Sequence, residues 1–128
     1  MTIANWCVLA AILLPYVSFA LAVRIAAAQG VVRDNRNPRD FPSQLSGKAR
    51  RAWNAQINSF EALPAFAAAV VIAELAAAPQ ARVDMLAGAW VLLRLIYIWL
   101  YLADQDKLRS TVNLAALACI IGMFILAA

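Results

Sequence analysis

The sequence has no histidine, two cysteines and few charges, and each shortage removes a class of chemistry. Without histidine there is no Ser-His-Asp or Cys-His arrangement, and no imidazole to ligate a metal. Cys7 and Cys119 stand alone in apolar runs, with no CxxC, so both read as small buried hydrophobes rather than as parts of a disulfide framework or metal centre. Charged residues make up 14% of the chain, against about 25% in soluble domains. Basic and aromatic residues do not interleave in a stripe, so no nucleic-acid partner is expected. There are no internal repeats.

What the chain has in abundance is apolar sequence: 65% of 128 residues, at a mean hydropathy of +0.74. It comes in four blocks, about residues 3–28, 48–78, 83–103 and 108–128. Each has about 20 or more residues, enough to cross a hydrocarbon core of about 30 Å. The expected fold is all-α: one domain over 1–128, an integral-membrane four-helix bundle. The first block lacks a positively charged start and is long for a signal peptide, so it reads as a retained span. Pro79 is expected to mark the end of the second helix. Residues 104–107, Asp-Gln-Asp-Lys, mark a tight turn between the third and fourth. The connection 29–47 is polar and turn-rich, either a mobile linker or a lid. Abundant alanine lets helices approach closely in lipid, where packing drives association.

Polar residues inside such blocks demand a reason. At about 100° per residue, Arg51, Asn54, Asn58 and Glu61 share a face roughly 80° wide. A charge in mid-membrane costs about 2.5–3.5 kcal/mol on insertion scales, so this face should look into protein or a polar cavity. In the third block Trp90, Arg94, Tyr97 and Tyr101 recur at helical spacing. Arg94 and Glu61 lie at similar depths, and a Glu61–Arg94 ion pair is the simplest way to bury both. Arg109 and Ser110 open the fourth block. They read either as an interfacial cation with its neighbour or as a pair placed to hold a thiolate, since a nearby guanidinium lowers a thiol's pKa. Tyr97 and Tyr101 either donate to the same sulfur or pack as interfacial aromatics. Glu74 lies on the opposite face of its helix, within expected reach of Arg82.

The run Ala55-Gln-Ile-Asn58-Ser-Phe-Glu61-Ala-Leu-Pro64-Ala-Phe66, followed by Arg94-Leu-Ile-Tyr97-Ile-Trp-Leu-Tyr101 and Leu108-Arg109-Ser110, resembles the MAPEG family, the membrane-associated proteins of eicosanoid and glutathione metabolism. The likeness takes in all four blocks and is nearest to the short bacterial branch. It implies a homotrimer, in a bacterial inner membrane, that binds glutathione between neighbouring subunits. Asn58 and Glu61 would hold its amide and amino groups and Arg24 and Arg51 its carboxylates. Arg94, Tyr97 and Tyr101 would line the cleft, and Arg109 beside Ser110 would stabilise the thiolate. The implied activity is glutathione transfer to lipophilic electrophiles or reduction of lipid hydroperoxides, with no metal. One position departs from the pattern: Asn54 stands where active members carry arginine, and a neutral amide does not replace a carboxylate-binding guanidinium. That departure supports a rival reading, a non-catalytic trimer with a vestigial or different ligand site. A small multidrug transporter fits less well, because such proteins carry their essential acid in the first span and this one has none there.

Charge placement sets the expected orientation. The 29–47 connection and its flanks hold Arg24, Arg33, Arg36, Arg39, Lys48, Arg50 and Arg51, the second turn adds Lys107 and Arg109, and the opposite side has Arg82 alone. The positive-inside rule puts 29–47 and 104–107 in the cytoplasm and both termini outside. A cysteine introduced at Ser43, with Cys7 and Cys119 replaced, should resist an impermeant thiol reagent in intact cells and react after permeabilisation. Labelling of intact cells reverses the assignment.

Overall fold

The computed structural model describes residues 1–128 and is wholly helical: α1 (Ile3–Ala28), α2 (Phe41–Gln44), α3 (Gly47–Leu75), α4 (Gln80–Leu102) and α5 (Asp106–Ala127). The four long helices are each long and apolar enough to cross a membrane. Short turns join α3 to α4 and α4 to α5, so neighbours run antiparallel. α1 packs on α3 and α4, and α5 packs on the same two helices.

The helices overrun the apolar blocks at their starts. α4 begins three residues before Val83 and α5 two before Leu108, because hydrogen bonding continues into polar sequence beyond the hydrocarbon. α3 stops at Leu75, short of the expected boundary near Ala78. There Ala77 takes a left-handed conformation at φ 53°, and the N–H groups of Ala77 and Ala78 bond back to Glu74 and Ala73. This closes the helix in the manner of a Schellman motif. Pro79 therefore does not end α3; it caps the start of α4. The same closure ends α4 with Asp104 at φ 61° and α1 with Gly30 at φ 81°.

Alanine sets the helix spacing. Ala4, Ala22 and Ala26 of α1 and Ala49, Ala55, Ala69 and Ala73 of α3 are wholly buried. The larger core residues lie between α3, α4 and α5, where Phe66 and Trp90 stack with centroids 3.9 Å apart against Met123 and Val70. Trp6, Leu92, Trp99 and Ile125 point out of the bundle, as lipid-facing residues do. The 29–47 connection is anchored to the bundle. Phe41 and Leu45, around α2, are buried against Ala26 and Ala49, Phe41 and Phe19 both meet Trp53 edge-on, and Arg33 lies over the Phe19 ring. The Arg50 guanidinium donates to the Pro42 carbonyl.

At the opposite end Glu74 behaves differently from expectation. Glu74 does not pair with Arg82; its carboxylate accepts from Thr2 Oγ1 at 2.5 Å and Asn5 Nδ2 at 2.8 Å. Asp84 accepts from the Ala4 backbone N–H at 2.8 Å and from Gln80 at 2.9 Å. The first turn of a helix leaves backbone donors free and carries the positive end of its dipole, so these carboxylates are drawn to the start of α1.

Candidate functional site

The polar residues of α3, α4 and α5 converge on Arg94. Its side chain is 1% exposed. Nη2 donates to Asn58 Oδ1 at 2.7 Å and Nη1 to Asn113 Oδ1 at 3.1 Å, while the guanidinium lies 4.3 Å from the Tyr97 ring centre and 5.9 Å from that of Trp90. Nε has no partner. Two amide oxygens and two aromatic faces thus hold this cation.

The expected Glu61–Arg94 ion pair is absent; the protein's one ion pair is Arg51–Asp104, at 3.5 Å. Asn58 comes off the same face of α3 one turn earlier and takes one guanidinium donor while Asn113 takes another, leaving Glu61 exposed at the rim of the same cleft. Similar depth was not enough, because amide oxygens hold a buried cation without a second charge having to be desolvated.

Two cavities meet at Asn113. The first, of about 210 Å³, has Asn58, Glu61 and Arg94 on its polar side and Ala62, Leu117 and Ile120 on its apolar side. The second, of about 310 Å³, lies towards the basic end and is lined by Tyr97, Arg109, Ser110, Asn113 and Leu114. Arg109 has no carboxylate partner; its guanidinium rests over the Tyr101 ring at 4.0 Å, and Tyr101 meets Tyr97 edge-on. Ser110 Oγ donates to the Asp106 carbonyl at 3.1 Å, which leaves its lone pairs free to accept.

Seven of the ten residues singled out from the sequence therefore gather around these cavities: Asn58, Glu61, Arg94, Tyr97, Tyr101, Arg109 and Ser110. Three do not. Arg24 lies in a separate groove with Lys48, Arg51 is engaged by Asp104 at the α4–α5 turn, and Asn54 is half-buried and lines neither cavity. Asn113 and Asp104 were missed. Asn113 follows Arg109 by four residues inside an apolar span, a helical spacing that would have flagged it. Asp104 gave no such signal, since its pairing depends on how the turn meets α3.

A family model, that of the MAPEG family, matches residues 3–128. No curated protein and no solved structure matches the chain.

The geometry predicts where the coupling lies. Asn58→Ala should lower stability in detergent by about 1.5–3 kcal/mol, the range for a hydrogen bond to a charged group. A double-mutant cycle between Asn58 and Arg94 should show a coupling above about 1 kcal/mol, and one between Glu61 and Arg94 a coupling near zero. Equal coupling in the two cycles would restore the ion pair.

Proposed function

Since this chain belongs to the MAPEG family of membrane proteins, we propose that it is a thiol-dependent transferase or peroxidase, using glutathione against lipophilic electrophiles or lipid hydroperoxides. The observation that carries this reading is Arg109: a guanidinium without a counter-ion, steadied on Tyr101 and lining a cavity that shares Asn113 with the Asn58–Glu61–Arg94 cleft. A thiol with a pKa of about 8.5 is mostly protonated at neutral pH, and a cation beside it in a partly dry site favours its anion. The bound peptide would supply the nucleophilic sulfur. The chain's own residues would position that sulfur and stabilise its charge.

The residues present fit such a peptide in part. Glu61 offers a carboxylate for an ammonium group, and Asn58 and Asn113 offer amides. The apolar wall of Ala62, Leu117 and Ile120 suits a lipophilic second substrate arriving from the bilayer. Carboxylate binding is the weaker side, because Arg51 would have to leave Asp104 and Asn54 supplies no charge. That weakness favours a second reading, the same fold with a vestigial or different ligand site.

Glu61, Ser110 and Asn113 are exposed on the flank of a single copy, within or beside the spans. Polar groups facing lipid are costly, and a symmetric assembly would cover them, so the working form is read as a homotrimer. In this reading the protein sits in a bacterial inner membrane with its basic end in the cytoplasm. Native mass spectrometry in mild detergent should give three copies; monomers or dimers alone would sink the assembly.

The test of activity uses the purified protein, glutathione and an aryl halide. Wild type should show thiolate absorbance and conjugation, and Arg109→Ala should lose at least about tenfold in rate, a floor below the roughly hundredfold or more that a buried oxyanion donor contributes. Glutathione binding should fall less, because Asn58 and Glu61 remain. Asn54→Arg should tighten binding. A wild type that neither binds glutathione nor forms its thiolate, while Asn54→Arg does both, establishes the vestigial-site reading.

A further inference from the structure

At the basic end of the bundle, a groove separate from the polar cleft runs between the last turns of α1, the first turn of α3 and the end of α4. It has a volume of about 500 Å³ and is lined by Leu21, Arg24, Ile25, Ala28, Lys48 and Leu102. Four other cations at this end are engaged: Arg51 pairs with Asp104, Arg50 donates to the Pro42 carbonyl, Arg33 covers Phe19 and Arg109 covers Tyr101. Arg24 and Lys48 have no such partner. Neither forms an ion pair or donates a side-chain hydrogen bond within the protein.

Their level in the membrane gives this meaning. Arg24 is four residues, or about 6 Å of helix, from the end of α1. Lys48 is the second residue of α3, and Leu102 is the last of α4. Two free cations on different helices therefore stand at the headgroup boundary, beside Ile25 and Leu102 at the same level and above Leu21, one turn deeper on α1. The long stems of arginine and lysine let both heads reach the same polar layer.

We propose that this groove is a binding site for one anionic phospholipid, its phosphate held between Arg24 and Lys48, its glycerol region against Ile25 and Leu102, and an acyl chain leaving past Leu21. Charge complementarity selects the lipid. A zwitterionic headgroup brings its own cation to the same place, whereas an anionic one leaves its phosphate charge to the protein. A basic pocket between spanning helices combines electrostatic attraction with apolar burial that a free anion cannot use. A bound lipid would also fill the seam where α1, α3 and α4 part at this end, beside the segment anchored by Phe41.

The test compares phosphatidylglycerol with phosphatidylcholine, using native mass spectrometry to count retained lipid and thermal unfolding in detergent to read stabilisation. Phosphatidylglycerol should be retained at one site per chain and raise the melting temperature; phosphatidylcholine should do neither. The Arg24→Gln/Lys48→Gln variant should bind phosphatidylglycerol about thirtyfold more weakly, from about fivefold per cation at a membrane surface. Arg36→Gln/Arg39→Gln, which removes the same charge from the exposed connection, should bind as wild type does. Equal retention of the two lipids, or equal loss in the two variants, overturns the proposal in favour of diffuse attraction. Stabilisation by inorganic phosphate alone also overturns it, by making the site one for a free anion. Should the first variant fail to fold, a photoactivatable phosphatidylglycerol on the unaltered protein decides the matter. Adducts within residues 21–28 or at Leu102 support the site, and adducts spread evenly over the helices refute it.

Discussion

A guanidinium in mid-membrane is the constraint around which this bundle is arranged. Arg94 would cost about 2.5–3.5 kcal/mol if it were left in hydrocarbon on insertion scales. Two charge-assisted hydrogen bonds, at about 1.5–3 kcal/mol each, and two aromatic faces, at about 0.5–2 kcal/mol each, are of the size needed to offset that cost. Their sources matter as much as their strength: Asn58 is on α3, Asn113 on α5, and Tyr97 and Trp90 on α4 itself. Lipid supplies no hydrophobic force between helices. A cation that can be satisfied only where three helices meet therefore specifies their register as apolar packing alone would not.

The two ends of the bundle are held by opposite charges. At one end Glu74 and Asp84 gather the first turn of α1 through Thr2, Asn5 and the Ala4 amide. At the other, most of the arginines are spent on rings, carbonyls and Asp104. The cavities are asymmetric in the same sense. Arg109 and Ser110 lie towards the basic end, where charged, water-borne compounds arrive, and the Ala62–Leu117–Ile120 wall lies deeper, where apolar ones dissolve. A cleft open to both phases suits the proposed reaction between a polar thiol and a lipophilic partner.

Asn54 gains weight from the geometry around it. Its neighbour Arg51 points its charge at Asp104 and away from the cleft, so the guanidinium missing at Asn54 is not supplied from one turn earlier. Gln56 Oε1 and the Nε atoms of Arg51 and Arg94 are left without partners in a single copy.

The number of spans, their approximate limits, the family likeness and most of the candidate site were legible in the sequence, for one physical reason. In an apolar helix each polar residue is expensive, so spacing alone exposes Asn58, Glu61, Arg94 and Arg109 as residues with a purpose. The end of α3 was less legible, because Ala77 adopts a left-handed closure that its residue type does not announce. Partners were least legible of all. Depth along a helix suggested that Glu61 neutralises Arg94, but only the packing of α3 and α5 against α4 decided that two amide oxygens reach the guanidinium and the carboxylate stays at the rim. Spacing orders residues along one helix; which of them meet across helices is set by crossing geometry and side-chain reach, and these exist only once the helices have packed.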